Sequence, residues 1–330
     1  MTELFTTYHL PFTTSQVKPG AMIAVVFPGQ GSQKPGMGKE LFEAKAVTRD
    51  IFEMVTSATS VDMEELCFES DEETLRQTQN AQLALYTVSL AAFASLLSMV
   101  PELKVDVAAG HSVGEYAALA AANVVSVTDG ARLVQKRGKV MADAGKTQPG
   151  TMAAVLGLDR EALEKVCQDA GGVVVANDNC PGQLVISGEV EAVKRASEMA
   201  SAAGAKRVLP LNVSGAFHSP LMEVPAMEMA KSLNATPFQQ GRYKVYANVT
   251  AEPGTAANQW PRLLEDQLRR PVRWTETIQN MIRDGVDTFI ECGSGEVLCG
   301  LIKRISKDVK TLAVGDVASL EKTVAALNAK

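Results

Sequence analysis

A serine between two glycines is the first candidate for chemistry in this chain. Gly110-His111-Ser112-Val113-Gly114 fits the Gly-x-Ser-x-Gly pattern of a nucleophile elbow, where a strand turns sharply into a helix and holds a serine hydroxyl outward. The valine- and alanine-rich run before it is typical of a strand, and residues 115–122 are typical of a helix. An ordinary glycine-rich turn is the alternative, but this context favours Ser112 as a nucleophile.

A serine hydroxyl is a weak nucleophile at neutral pH and needs a base. The chain has three histidines, His9, His111 and His218. His9 lies in the first segment of the chain, and the geometry of an elbow directs the side chain of His111 away from its neighbour. Elimination leaves His218 as the base. The alternative is a histidine that only caps the helix expected from Ser219.

An acyl-transfer site also needs donors for a developing oxyanion. The elbow supplies one, the backbone N–H of Val113, and a second is expected from the turn at 28–33, whose glycines let amides face a ligand. A phosphate-binding loop is the alternative for that turn. It is disfavoured because the turn lacks both the Walker lysine and the Gly-x-Gly-x-x-Gly spacing.

Arg137 is the charged residue whose position in the sequence says most about function. On a helix over 128–144 it projects from the middle of the apolar stripe formed by Leu133, Val134, Val140, Met141 and Ala144. A guanidinium in such a place requires an anionic partner. That partner is either a substrate carboxylate or an internal Asp or Glu, and the stripe alone favours neither.

From Met22 onward, strand-like and helix-like patterns alternate, as in an α/β protein. A short apolar run broken by a Pro-Gly pair predicts a buried parallel strand at 23–27, and a second strand is predicted at 105–110. The other predictions outside 151–211 are helices at 40–56, 80–99, 113–122, 128–144, 219–234, 259–269, 273–284 and 295–307, and strands at 244–248 and 288–291.

Residues 151–211 have an order of their own, strand, helix, strand, strand, helix, strand, with an Asn-rich turn predicted at 177–182 between the middle strands. This is the order of a split ferredoxin-like unit, which closes its own small sheet. We therefore predict a flexible leader at 1–20, a main domain at 21–148 and 213–330, and an inserted subdomain at 149–212.

Composition excludes several classes of function. The 330 residues carry 32 Lys and Arg against 38 Asp and Glu, a net charge of −6 with no long basic run, so no nucleic-acid partner is expected. Five scattered cysteines fit reduced thiols in the cytoplasm and give no metal-binding spacing. Charged residues are expected to interrupt every apolar stretch before it reaches the length of a membrane span, and the leader matches no targeting signal.

Together these segments resemble the malonyl-coenzyme A:acyl carrier protein transacylases, acyltransferases of fatty acid and polyketide synthesis. The resemblance runs in the family's order from about 22 to 315 and rests on Val-Phe-Pro-Gly-Gln-Gly-Ser-Gln (26–33), Gly-His-Ser-Val-Gly-Glu-Tyr (110–116), Arg137-Gly138 with Met141, the Asn-rich turn before Pro181-Gly182-Gln183, Phe217-His218-Ser219-Pro220-Leu221-Met222, and Gln267 with Pro271-Val272.

The resemblance implies an α/β-hydrolase-like large domain with an inserted ferredoxin-like small domain. It also implies a cytoplasmic, monomeric enzyme that moves malonyl from malonyl-CoA to acyl carrier protein by a ping-pong mechanism, without cofactor or metal. The residues it assigns are Ser112 as nucleophile, His218 as base, Gln267 orienting His218 through its carbonyl, Gln30 and Val113 as oxyanion amides, Arg137 on the malonyl carboxylate, and Phe217 and His111 at the substrate.

Two other functions share some of these features. A serine esterase or thioesterase has the same elbow, but usually carries an acidic triad member between Ser and His and has no need of a stripe-centred arginine. A carrier-docking scaffold with a degenerate site is disfavoured because Ser112 and His218 are both present. Service to a fatty acid pathway or, in trans, to a polyketide assembly line stays open.

Overall fold

The computed structural model describes residues 21–254 and 256–329, so the predicted leader and His9 lie outside the described residues. In chain order the strands are β1 (Met22–Phe27), β2 (Val107–Gly110), β3 (Gly150–Leu156), β4 (Val173–Cys180), β5 (Gln183–Glu189), β6 (Arg207–Pro210), β7 (Lys244–Tyr246), β8 (Val286–Cys292) and β9 (Lys310–Val314).

The α-helices are α1 (Lys39–Ala44), α2 (Ala46–Thr59), α3 (Glu72–Arg76), α4 (Thr78–Met99), α5 (Gly114–Ala121), α6 (Val127–Thr147), α7 (Arg160–Ala170), α8 (Val190–Ala202), α9 (Glu223–Ala235), α10 (Trp260–Arg269), α11 (Trp274–Arg283), α12 (Val297–Ile305) and α13 (Val317–Asn328). A π-helical turn at Glu65–Glu69 and 3₁₀ turns at Pro220–Met222 and Ala257–Gln259 complete the helical segments.

Five strands form a parallel sheet in the order β7-β2-β1-β8-β9. The central strand β1 is buried on both faces from Ile23 to Phe27, as its unbroken apolar sequence predicts. The edge strand β9 and the helix α13 were not predicted. The strand β9 is half-buried, and its short run has no strong apolar pattern. The predicted α/β architecture with a separate small sheet is confirmed.

The parallel register places two loops side by side. Phe27 at the end of β1 pairs with Gly110 at the end of β2, and His111 N donates to Phe27 O at 2.9 Å. Because the carboxyl ends of parallel strands meet at the same edge of a sheet, the 28–33 turn lies beside the Ser112 turn. The sheet therefore assembles the edge at which the candidate site forms.

The small sheet is antiparallel, in the order β4-β5-β3-β6, with α7 and α8 as its connecting helices. The turn predicted at 177–182 was wrong, because β4 continues through Cys180 and only Pro181 and Gly182 form the turn. The polar residues of β4 pair with β5 with two shifts in register. Asn177 also forms a parallel bridge with Val272, which lies outside the small sheet. Because these residues pair with other segments on both sides, they form a strand although their composition is typical of a turn.

Helix α4 corrects a second expectation. Thr78–Met99 contains no charged residue and is long and apolar enough to cross a membrane, so the statement that charges interrupt every such stretch was wrong. Of its most apolar window, 78% is buried inside the protein, and the helix packs against α2 and α6. Its apolar character on every face is that of a helix enclosed by the core.

Candidate active site

Ser112 occupies a strained turn between β2 and α5. Its φ of 53° lies in the left-handed region, which is uncommon for a residue with a side chain. A Cβ on Gly110 would lie 1.9 Å from Gly114 C, and one on Gly114 would lie 2.2 Å from Phe27 O. Both glycines are therefore required by close backbone packing, as the elbow pattern predicts.

Asn248 braces this turn and was missed by the sequence analysis. Its Oδ1 accepts from Ser112 N at 2.8 Å, and its Nδ2 donates to Gly110 O at 2.7 Å. The residue is fully buried just after β7, the neighbour of β2 in the sheet. An asparagine after a short strand gives no distinctive signal in a single sequence.

His218 faces Ser112. Its Nε2 lies 2.8 Å from Ser112 Oγ, and its Nδ1 lies 2.7 Å from the backbone O of Gln267. Because a carbonyl oxygen only accepts, Nδ1 carries the proton and Nε2 presents its lone pair to the serine hydroxyl. No carboxylate is bonded to this imidazole among the described residues, so the acidic triad typical of an esterase is replaced by a carbonyl.

The imidazole is held neutral by its surroundings. Burial, and then the positive charge of Arg137, lower the pKa of His218 to about 3. A neutral imidazole is the form that accepts a proton, so the side chain is ready to act as a base at neutral pH.

Arg137 is fully buried on α6, and the polar atoms that it contacts are neutral. Nη1 donates to Gln82 Oε1 at 2.6 Å, and Nη2 donates to Ser112 Oγ at 3.1 Å and to Gln267 Oε1 at 2.9 Å. The Tyr116 ring lies 5.7 Å from its Cζ. Over residues 21–254 and 256–329, none of the ion pairs includes Arg137, which weighs against the internal-ion-pair alternative.

The side chain of Gln267, on α10, links the other groups. Its Nε2 donates to Ser112 O at 2.9 Å and to Glu115 Oε2 at 2.8 Å, while its Oε1 accepts from Arg137. Glu115 is fully buried on α5, and burial raises its pKa to about 7. Like Arg137, Glu115 is recognisable in the sequence, because it is a lone charge in an otherwise apolar, alanine-rich helix.

The two turns expected to supply oxyanion amides lie at the same sheet edge. In the 28–33 turn, Ser32 N donates to Gly29 O at 3.4 Å and Gly31 N to Gln33 Oε1 at 2.7 Å, and neither bond uses the amide of Gln30. The first backbone hydrogen bonds at the start of α5 are donated by Gly114 N and Glu115 N. The amide of Val113 takes no part in them.

His111 and Phe217 flank the central cluster. His111 Nε2 lies 2.8 Å from Asn179 Oδ1, and its ring meets Trp274 edge-on with 5.6 Å between centroids. Phe217 is 5% exposed beside Gly215. The structure thus joins Ser112, His218, Arg137 and Gln267 by hydrogen bonds, whereas the side-chain hydrogen bond of His111 runs to the small sheet.

The described residues contain no group of three or more His, Cys, Asp or Glu that could hold a metal ion. The polar atoms around Ser112 are those of serine, imidazole, guanidinium, amide and one carboxyl group. This arrangement can move a proton between an oxygen and an imidazole and can hold an anion beside that oxygen.

Comparison with known proteins agrees with this chemistry. Residues 24–326 match the family described as acyl transferase domain. The chain is 43% identical over 311 residues to the malonyl CoA-acyl carrier protein transacylase of Bacillus subtilis strain 168, covering 92% of this chain and 97% of the relative. The resemblance noted in the sequence is confirmed.

Solved structures of similar proteins share the fold over almost the whole chain. The malonyl CoA-acyl carrier protein transacylase of Coxiella burnetii superposes with a TM-score of 0.91 at 36% identity, covering 94% of this chain and 99% of that one. A malonyl-transacylase in complex with its type II polyketide synthase acyl-carrier protein superposes with a TM-score of 0.88 at 38% identity, covering 93% and 100%.

Proposed function

This chain belongs to the malonyl CoA-acyl carrier protein transacylases of the acyl transferase domain family, and on that premise we propose that it transfers malonyl through an ester on Ser112. Its substrates are malonyl-CoA and acyl carrier protein, and its activity is that of an acyl-carrier-protein S-malonyltransferase. One observation carries the assignment. Ser112 Oγ lies 2.8 Å from His218 Nε2 and 3.1 Å from Arg137 Nη2, so nucleophile, base and cation converge on one atom.

In the first half-reaction, His218 Nε2 takes the proton from Ser112 Oγ as this oxygen attacks the thioester carbonyl of malonyl-CoA. The backbone amides of Gln30 and Val113 hold the oxyanion of the tetrahedral intermediate. The carbon–sulfur bond then breaks, and His218 returns its proton to the departing thiolate. Ser112 is left as a malonyl ester.

In the second half-reaction, the phosphopantetheine thiol of acyl carrier protein gives its proton to His218 and attacks the ester carbonyl. The same amides hold the second oxyanion. Ser112 Oγ leaves and recovers a proton from His218. The backbone carbonyl of Gln267 keeps Nδ1 protonated, so Nε2 alone exchanges protons in both directions.

Arg137 binds the free carboxylate of the malonyl group. A buried guanidinium with only neutral acceptors retains much of its desolvation cost, which a carboxylate offsets by pairing with it. Such pairing favours a dicarboxylic acyl group and fixes the ester carbonyl near the oxyanion amides. Phe217 and His111 complete the walls around the acyl group.

The same proposal includes the organisation of the chain. We assign residues 21–148 and 213–330 to the catalytic domain and 149–212 to the inserted subdomain, supported by two separate sheets. We further propose that the enzyme works in the cytoplasm as a monomer, without cofactor, metal, membrane or nucleic-acid partner.

Intact-mass spectrometry tests the mechanism. Incubation with malonyl-CoA should add the mass of one malonyl group to the wild type and nothing to Ser112→Ala. Ser187→Ala, which alters another buried serine in the small sheet, is the matched control and should keep the adduct. An adduct that persists in Ser112→Ala would exclude Ser112 as the nucleophile. Adding holo acyl carrier protein to the acylated enzyme should move the malonyl group to the carrier, whereas a thioesterase would release malonate instead.

A further inference from the structure

The side-chain amide of Gln267 has only one favourable orientation in this site. Its Nε2 faces three acceptors, Ser112 O, Glu115 Oε2 and, at 3.4 Å, Asn248 Oδ1, and its Oε1 faces a donor, Arg137 Nη2. Rotating the amide by half a turn would bring oxygen against the carbonyl of Ser112 and an NH₂ group against the guanidinium. The donors and acceptors around Gln267 therefore decide which end of the amide Arg137 meets.

Glu115 contributes to this orientation through a single oxygen. Oε2 accepts from Gln267 Nε2 at 2.8 Å and from the backbone N of Asn248 at 3.0 Å, whereas Oε1 has no hydrogen-bond partner among the described residues. Two donors from separate segments, one on α10 and one after β7, fix the position of that oxygen. It is therefore a stationary acceptor against which the Gln267 amide is aligned.

The carboxyl group of Glu115 makes no direct ion pair with the guanidinium. Its hydrogen-bonded connection to Arg137 runs through the Gln267 amide, and none of the ion pairs of the described chain includes Glu115. Burial lowers the pKa of Arg137, and the charge of Glu115 opposes this effect at longer range. A direct Glu–Arg pair would occupy the two guanidinium nitrogens that a substrate carboxylate needs. Through the amide, the carboxyl group orders Arg137, while Nε of Arg137, which has no hydrogen-bond partner among the described residues, stays open to a ligand.

We propose that Glu115 is a positioning residue for substrate selection, which aligns the Gln267 amide so that Arg137 is held ready for the malonyl carboxylate. The inference rests on the proposed function of Arg137 and goes beyond it by assigning a role to a side chain that does not touch the substrate. A purely structural role is the alternative for Glu115, because its partner Asn248 also bonds the amide of Ser112. In that case its loss would disturb the nucleophile itself.

Three variants separate these roles. Glu115→Leu removes the acceptor at similar volume, and Glu115→Asp keeps a carboxylate but withdraws it by one methylene. Glu115→Gln retains a carbonyl oxygen, which the same two donors should orient, and is the rescue control. For each variant, Ser112 acylation is followed with malonyl-CoA, with acetyl-CoA and with an uncharged serine-directed fluorophosphonate, which needs no carboxylate pairing.

We expect Glu115→Leu to lower kcat/KM for malonyl-CoA by about tenfold or more relative to acetyl-CoA, since misplacement of about 1 Å costs up to about 100-fold. Fluorophosphonate labelling should stay within about twofold, and Glu115→Gln should restore most of the malonyl preference. If Glu115→Leu does not fold, Glu115→Asp tests the proposal, and we expect it to show a smaller loss of malonyl preference.

Equal losses with all three reagents would assign Glu115 to the support of Ser112 and overturn the proposal, and so would an unchanged malonyl preference. A failure of the proposed function is recognised separately, because the wild type would then form no malonyl ester on Ser112.

Discussion

Ser112 and His218 face each other at 2.8 Å, and both have a left-handed backbone, with φ of 53° and 57°. Each such conformation costs about 1–3 kcal/mol in a residue with a side chain and persists only where its surroundings enforce it. Asn248 Oδ1 holds the amide of Ser112, and Leu268 O holds the amide of His218 at 3.0 Å. The proposed base, His218, is thus presented by a constrained turn of its own, as the proposed nucleophile, Ser112, is.

The low pKa of His218 predicts an unusual pH profile for acylation. The base works as neutral imidazole, and burial together with Arg137 lowers its pKa to about 3, so the acid limb of the profile moves to lower pH. The rate of Ser112 acylation by malonyl-CoA should therefore not halve near pH 6.5, the ordinary value for histidine. Intact-mass time courses between pH 5 and 8, with samples returned to neutral pH to detect denaturation, give the profile. A midpoint at the ordinary value would contradict this prediction.

The lowered pKa of His218 also affects the stability of the folded protein. The unfolded state binds a proton on His218 below its ordinary pKa, and the folded state does not until the pH approaches 3. The contribution of this group to the free energy of unfolding is therefore present above pH 6.5 and is lost as the pH falls toward 3.

Replacing Arg137 should change the choice of acyl group. Arg137→Ala should reduce kcat/KM for malonyl-CoA by about 30- to 5,000-fold, since losing one partner of a buried charged pair costs about 2–5 kcal/mol. Acetyl-CoA, which has no free carboxylate, should be affected far less. Arg132→Ala is the control, because Arg132 lies on the same helix with its side chain 57% exposed. An unchanged malonyl preference in Arg137→Ala would remove Arg137 from substrate binding.

Two helical glycines should respond to alanine with opposite signs. A Cβ on Gly138, inside α6, would lie 2.7 Å from the Cα of Gln79, whereas one on Gly300, inside α12, meets nothing within 4 Å. Gly138→Ala should lower the free energy of unfolding by about 1–3 kcal/mol through overpacking. Gly300→Ala should raise it by about 0.5–1 kcal/mol through helix propensity. Urea unfolding of both variants measures the difference, and equal effects would refute the close packing of α6 on α4.

The cysteines should be inert in the folded enzyme. All five are buried, and desolvation raises the pKa of each thiol. Ellman's reagent should titrate none of them under native conditions and all five in denaturant, and a maleimide should leave acylation unchanged. Rapid native labelling that stops acylation would implicate a thiol in the reaction.

The sequence predicted the parts of the site that depend on local pattern. The turn around Ser112 follows from its glycines and flanking elements, and the position of Arg137 follows from helical periodicity. Asn248 and the side-chain contacts of Gln267 did not follow, because they depend on long-range pairing that leaves no periodic trace. The polar strand at 177–180 was missed for a related reason, since its partners are β5 and Val272 rather than its own neighbours in sequence.

That strand connects the small sheet through the main chain to Val272, in the segment between α10 and α11. Val272 N donates to Ala176 O at 2.9 Å, and Asp178 N donates to Val272 O at 3.0 Å. Val272 follows Gln267, whose carbonyl holds His218, by five residues. The proposed inserted subdomain therefore braces the segment that follows the helix holding the proposed general base. Deleting it would leave both backbone groups of Val272 unpaired just beyond that helix.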